Sequence, residues 1–205
     1  MTPGGPTDVA GLVLAAGAST RMGQAKARLQ WHDRSFLELA CGQIEAAGCA
    51  PRLVVVGAIE LGDLVPADAI VIRHPRWRAG QLSSLQTGLD TALCHRVLGV
   101  LVCTVDRPRI AVATMQALRA AIDHRPEQLW QPRRHGRSGH PIYFPRDVAQ
   151  RVLTLPPKAS PREVLAEASV AARRRFVDVD DPGVHDNIDT PQNLAAITPD
   201  PASAR

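Results

Sequence analysis

Apolar positions fall in two patterns that alternate along the chain. Residues 9–16 form a short unbroken apolar run that stops at Gly17. A run this short, closed by glycine, predicts a buried strand and a glycine-containing loop after it. Residues 53–56 predict a second buried strand and residues 70–72 a third. Residues 97–105 form the most apolar run, the candidate central strand, ending abruptly at Asp106. Between them the spacing turns helical. In residues 35–47, Phe36, Leu39, Ala40, Ile44 and Ala47 share one face, Ser35 and Glu38 form a capping box, and Gly48 is the stop. Leu82, Leu85, Leu89 and Leu93 mark a helix after Gly80, and Met115, Leu118 and Ile122 mark another. Residues 141–144 predict a short strand, Ser160-Pro161-Arg162-Glu163 a capped helix start, and Thr190-Pro191 the last helix.

Strands alternating with helices predict an α/β fold with a mostly parallel sheet and helices on both faces. Ligands of such sheets bind beyond the carboxyl ends of the strands, where Gly17 and Asp106 fall. Residues 1–7 and 199–205 read as disordered tails and residues 8–198 as a single domain.

Composition narrows the chemistry. Hydrophobic residues make up 45% of 205 and aromatics 3%, so the core must be aliphatic. Trp31, Trp77 and Trp130 read as packing residues. The net charge is +4, with arginines grouped at 133, 134 and 137 and at 173–175. The second group reads as a solvated face. Neither group makes the broad basic stripe with aromatics that nucleic-acid binding calls for. The four cysteines lack C-x-x-C spacing, against a zinc knuckle or dithiol site. No signal peptide or membrane-length apolar run is evident, so a cytoplasmic protein without membrane contact is expected.

The loop after the first strand carries the most information. It runs Leu14-Ala15-Ala16-Gly17-Ala18-Ser19-Thr20-Arg21-Met22-Gly23, then Gln24-Ala25-Lys26. Gly17 and Gly23 permit close backbone approach to a ligand. The backbone of residues 15–19 can turn several N–H groups toward phosphate oxygens. Arg21 and Lys26 add the charge a triphosphate needs. The second glycine of G-x-G-x-x-G is missing and no G-K-[ST] follows, so neither a dinucleotide fingerprint nor a Walker loop is present. Asp106 stands at the exit of an apolar strand, where a charge is costly without a partner such as a cation.

The run resembles the L-A-[AG]-G-x-[SG]-x-R-M-G-x-x-K signature of the MobA-like NTP transferases. Its Ala-Ala-Gly form is similar to the molybdenum-cofactor cytidylyltransferase branch; the guanylyltransferase branch usually has Ala-Gly-Gly. Further matches follow in the family's order: Gly80-Gln81-Leu82-Ser83-Ser84-Leu85, Gly139-His140-Pro141 and Ile188-Asp189-Thr190-Pro191. The resemblance implies a three-layer, Rossmann-like nucleotidyltransferase fold. It implies transfer of CMP from CTP to the phosphate of a molybdopterin acceptor with Mg2+, releasing pyrophosphate. Leu14, Ala15, Ala16, Gly17, Ser19, Arg21, Lys26, Gln81, Ser83, Ser84 and Asp106 would bind the nucleotide. Arg21, Lys26 and Asp106 would be catalytic. Asp106 and Asp189, with Asp186 as the alternative, would hold the metal. Arg107, Arg137 and His140 would face the acceptor.

Three departures from the family pattern stand out, the first and last bearing on the acceptor and the second on the metal coordination. Asp106-Arg107-Pro108 stands where the family has Asp-Gln-Pro, Asn187 replaces an acid, and Lys158-Ala159-Ser160 replaces a Gly-Asp before Arg162. A different phosphorylated acceptor, such as a phosphosugar or phospho-alcohol, therefore stays open. So does a chaperone that delivers cofactor to a molybdoenzyme partner. Plain NAD-dependent oxidoreduction ranks last, for want of its fingerprint.

Overall fold

The computed structural model describes residues 8–19 and 22–197. Both expected tails and Arg21 lie outside the described residues. In chain order the elements begin β1 (Asp8–Ala15), β2 (Gln30–Trp31), β3 (Arg34–Ser35), α1 (Phe36–Ala46), β4 (Arg52–Val56) and β5 (Ile70–Arg73). They continue with α2 (Gln81–Leu93), β6 (Val97–Thr104), α3 (Val112–His124), β7 (Leu129–Arg134), β8 (Arg137–Ser138) and β9 (Ile142–Pro145). The chain closes with α4 (Arg146–Leu153), α5 (Pro161–Ala166), α6 (Ala168–Ala171), β10 (Arg174–Asp178) and α7 (Pro191–Ile197).

The main sheet runs β10-β7-β9-β6-β1-β4-β5, with β8 pairing β7 at one side. The β1–β4, β1–β6, β4–β5 and β7–β10 pairs are parallel; β9 runs against both β6 and β7. The sheet is thus mostly parallel around a central β1–β6 pair, as the apolar runs predict.

Strand β1 shows why such a run has no polar positions. Ala10, Leu12 and Leu14 pack on one face of the sheet, under α2 and α4. Val9, Val13 and Ala15 pack on the other, under α1 and α3. Both faces are covered, so alternate side chains all need to be apolar. Each fully buried Leu or Val stabilises the fold by about 1.5–3 kcal/mol before the entropy cost of ordering it. Gly88 lets α2 approach this closely, since a Cβ there would lie 2.6 Å from a Leu12 methyl.

The caps form as expected. Ser35 and Glu38 exchange both bonds of a capping box at α1, and Ser160 and Glu163 do the same at α5. Gly48 ends the α1 region at φ +60°. The expected third buried strand, β5, is a correction: it lies at the sheet edge, with Ile70 and Val71 exposed and only Ile72 buried. The arginines at 173–175 are not one solvated face either. Arg174 and Arg175 belong to strand β10, and Arg173 pairs with Asp147 at 2.6 Å. Among the described residues no helix is long and apolar enough to cross a membrane. Cys41, Cys49 and Cys103 are buried and free, and burial pushes the Cys41 and Cys49 thiols up to about 12.

Candidate active site

Two clefts meet at the carboxyl ends of β1 and β6. The smaller, about 430 Å³, is lined by the loop after β1, by Lys26, by Trp77, Arg78, Gly80 and Gln81 at the start of α2, and by Asp106 and Asp189. The larger, about 730 Å³, contains Arg107, Arg137, His140, Arg162 and Arg174. Leu14, Gln81 and Thr104 line both, so the clefts are continuous.

Ser19 anchors the described part of the glycine loop. Ser19 sits at φ +54°, its carbonyl accepts from the Met22 N–H at 2.9 Å, and its hydroxyl accepts from the Lys26 N–H at 2.9 Å. Ser19 therefore closes the loop, with its hydroxyl already engaged. At Gly17 a Cβ would meet nothing within 4 Å. Its lack of a side chain leaves open space for a ligand against the backbone. Across the cleft, α2 starts at Gly80 with φ +104° and no side-chain cap, leaving the first N–H groups of a thirteen-residue helix unmatched by side chains. Helix starts of this kind favour anions.

Lys26 Nζ pairs with the Asp189 carboxylate, which also accepts from Asn187 Nδ2 at 2.6 Å. Asp106 accepts from the Thr104 hydroxyl. The strand exit is braced on both sides: the Ile188 N–H donates to the Asp106 carbonyl, and the buried Gln43 side chain donates to the Arg107 carbonyl, each at 2.9 Å. Asp106, at mid-chain, and Asp189, near the end of the described residues, thus reach one cleft. Two carboxylates beside a phosphate-sized space suit Mg2+, which keeps several waters and needs few protein ligands. Among the described residues no cluster of three or more metal-type side chains exists.

Asp186 and Ser83 go elsewhere. Asp186 lines neither cleft and lies 3.0 Å from Arg109 Nη1. Ser83 also lines neither cleft; its hydroxyl lies 2.7 Å from His74 Nε2. Helical spacing separates it from Ser84, which is buried and faces the smaller cleft. Arg107 donates to the Val184 and Asp186 carbonyls at 3.3 and 2.8 Å, so it ties the closing loop to β6 as well as lining the larger cleft. Burial pulls its guanidinium below the ordinary arginine range, against the pull of Asp106, Asp189 and Asp186. Burial, with Arg107 beside it, lowers His140 to about 4, so its ring is neutral at physiological pH. Its Nδ1 is buried without a hydrogen-bond partner among the described residues.

Sequence reasoning missed Trp77, Arg78 and Arg174. Arg78 lies 4.4 Å from the Trp77 ring centroid, and both line the smaller cleft. Their position just before Gly80 was the available signal. Nothing local marked Arg174 apart from its neighbours.

The parallel sheet, the glycine loop at the exit of β1 and the carboxylate at the exit of β6 define a protein of the nucleotidyltransferase class. The chain belongs to the family of the MobA-like NTP transferase domain, whose family model matches residues 11–173. Nicotine blue oxidoreductase of Paenarthrobacter nicotinovorans is 30% identical over 93% of this chain and 98% of its own. A molybdenum cofactor guanylyltransferase of Xanthomonas euvesicatoria is 36% identical over 56% of each chain. The same fold occurs in Rv0371c of Mycobacterium tuberculosis, solved alone (TM-score 0.75, 24% identity, 93% of this chain and 98% of that one) and in complex with manganese (TM-score 0.70, 23% identity, the same coverage). It also occurs in a CMP:2-keto-3-deoxy-manno-octonic acid synthetase complexed with CTP (TM-score 0.73, 15% identity, 93% and 96% covered).

Proposed function

We propose that this protein transfers CMP from CTP to the phosphate of a molybdopterin-type acceptor in the cytoplasm, with Mg2+ in the smaller cleft. The observation that carries the reading is the convergence of Lys26, Asp106 and Asp189 on the open face of the glycine loop. The choice of CTP rests on the Ala15-Ala16-Gly17 form of the loop; Ala16 is buried beside Gly57 and Trp77.

In this reaction an acceptor phosphate oxygen bonds to the α-phosphorus, and the α–β bridging bond breaks to release pyrophosphate. A phosphate monoester is largely dianionic near neutral pH, so no general base is needed. What the chain must do is hold two anions in line and offset their charge. Lys26, with Arg21, grips the triphosphate; the backbone of residues 15–19 cradles it. Asp106 and Asp189 hold Mg2+, which when bound offsets charge on the α-phosphate and on the departing pyrophosphate. Arg107 and the neutral His140 receive the acceptor phosphate on the other side of the Thr104 boundary.

The test is thermal melting with each NTP, with and without Mg2+. A ligand at a hundredfold excess over its dissociation constant adds about 2.7 kcal/mol of stability. A Mg2+-dependent rise with CTP, followed by pyrophosphate release when molybdopterin is added, is expected. A rise with GTP alone would reassign the base. A second reading is favoured by the chain-long relative whose name is an oxidoreductase: the same clefts would hold a nicotinamide dinucleotide. A melting rise with NADPH, with no rise for any NTP, would replace the transferase reading by that one.

A further inference from the structure

The lining of the larger cleft includes four arginines, at 107, 137, 162 and 174, and no aspartate or glutamate. Outside the cleft, both arginines of β7 and Arg173, just before β10, are matched by acids, whereas the exposed Arg175 donates only to the Ala172 and Arg174 carbonyls. Arg133 makes a bidentate pair with Asp178, Arg134 pairs with Asp180 at 3.0 Å, and Arg173 pairs with Asp147. Among the described residues Arg137, Arg162 and Arg174 make no such pair.

Arg174 is the informative one. It is half-buried on β10, and its guanidinium is held by neutral groups: Nε donates to Gln131 Oε1 at 2.8 Å, Nη2 donates to the Ser138 hydroxyl at 3.0 Å, and Cζ lies 5.2 Å from the Phe176 ring centroid. Gln131 is itself buried and fixed, since its Nε2 donates to the Gly139 carbonyl at 3.0 Å. Desolvating a guanidinium costs free energy that a carboxylate would normally offset. Here the offsetting acid is absent while the orienting bonds are kept. A guanidinium held still, facing a cleft and lacking an anion, is a preorganised anion receptor. Arg162 on α5 contributes to the same cleft with no bond from its side chain among the described residues. Leu82, Leu85, Phe144 and Leu165 supply an apolar surface between. This place is distinct from the Arg107–His140 place: Arg107 is tied to Val184 and Asp186, Arg174 to Gln131 and Ser138.

We infer that Arg174, with Arg162, forms a second anion seat, so that the acceptor carries two anionic groups on a partly apolar body. One reacts beside Asp106, and the other is read by Arg174 as the specificity contact. The inference rests on the larger cleft being the acceptor's side of the proposed reaction.

The test is calorimetric titration of the full chain with naphthalene disulfonate and naphthalene monosulfonate at low ionic strength. The expected result is disulfonate binding at least about tenfold tighter, the scale of one extra charge-assisted contact. Arg174→Met and Arg162→Met should each weaken disulfonate binding and leave the monosulfonate unchanged, while Arg174→Lys keeps part of the preference. Arg162 is exposed and makes no bond, so its variant stays informative even where Arg174→Met unfolds. Equal affinity of the two probes, or equal weakening of both by Arg162→Met, overturns the inference. Failure of CMP transfer with every nucleotide removes the proposed reaction instead, and the sulfonate titration is read independently of it.

Discussion

At the scale of single residues, the two candidate metal carboxylates differ in what holds them. Asp106 accepts a bond from Thr104, whereas Asp189 is engaged by Lys26 and Asn187. Asp106→Asn keeps the shape and removes the charge. It should lower the transfer rate by at least ~100-fold, the cost of losing one aimed charge-stabilising group, measured as pyrophosphate release. His140 makes a pH prediction. Its folded pKa of about 4 lies below the ordinary histidine value of 6.5. The unfolded chain therefore takes up the proton first as pH falls, and stability is lost between about pH 6.5 and 4. Above that window the contribution is fully present. His140→Gln should flatten the fall of the melting temperature across the window; an unchanged slope would place the titration elsewhere.

At the scale of elements, the Gly-His-Pro segment has a steric reason for its glycine. A Cβ on Gly139 would lie 2.5 Å from the Val184 carbonyl oxygen, and the next N–H, of His140, donates to that same carbonyl at 3.0 Å. Gly139→Ala should push the closing loop away, lowering stability by about 1–3 kcal/mol in denaturant melts and raising KM for the acceptor more than for the nucleotide. Elements with strong local signals were legible in the sequence: β1, α1, α2, β6, α3 and both capping boxes. Strand β7 was not, because Gln131, Pro132, Arg133 and Arg134 break any apolar pattern. Strand β10 is a partly exposed edge, with Arg175 and Asp178 turned to solvent. Helix α4 did carry a signal, Val148 and Val152 one turn apart, in a segment only eight residues long.

At the scale of the whole molecule, one buried acid joins the two halves of the site. Asp181 accepts from the Ala111 N–H and the Thr114 hydroxyl at the start of α3, and from the Gly183 N–H in the closing loop, at 2.7–2.8 Å. It ties the segment bearing Val184, Asp186 and Asp189 to the segment that follows Asp106. Asp181→Ala leaves three donors without a partner, and a loss of about 3 kcal/mol is expected. If the tie also positions Asp189, nucleotide-dependent stabilisation in Mg2+ should weaken with it, read by the same melts.

The sequence by itself determined the fold class, the glycine loop and Asp106. Each depends on local pattern: an apolar run, then a residue that cannot continue it. The Ile188-Asp189-Thr190-Pro191 match already favoured Asp189 over Asp186; only the tertiary structure decided that Ser84 rather than Ser83 faces the cleft, and that Arg174 parts company with Arg173 and Arg175. Neighbouring residues of one chemical type differ only in direction, and direction is set by what packs against them from distant parts of the chain.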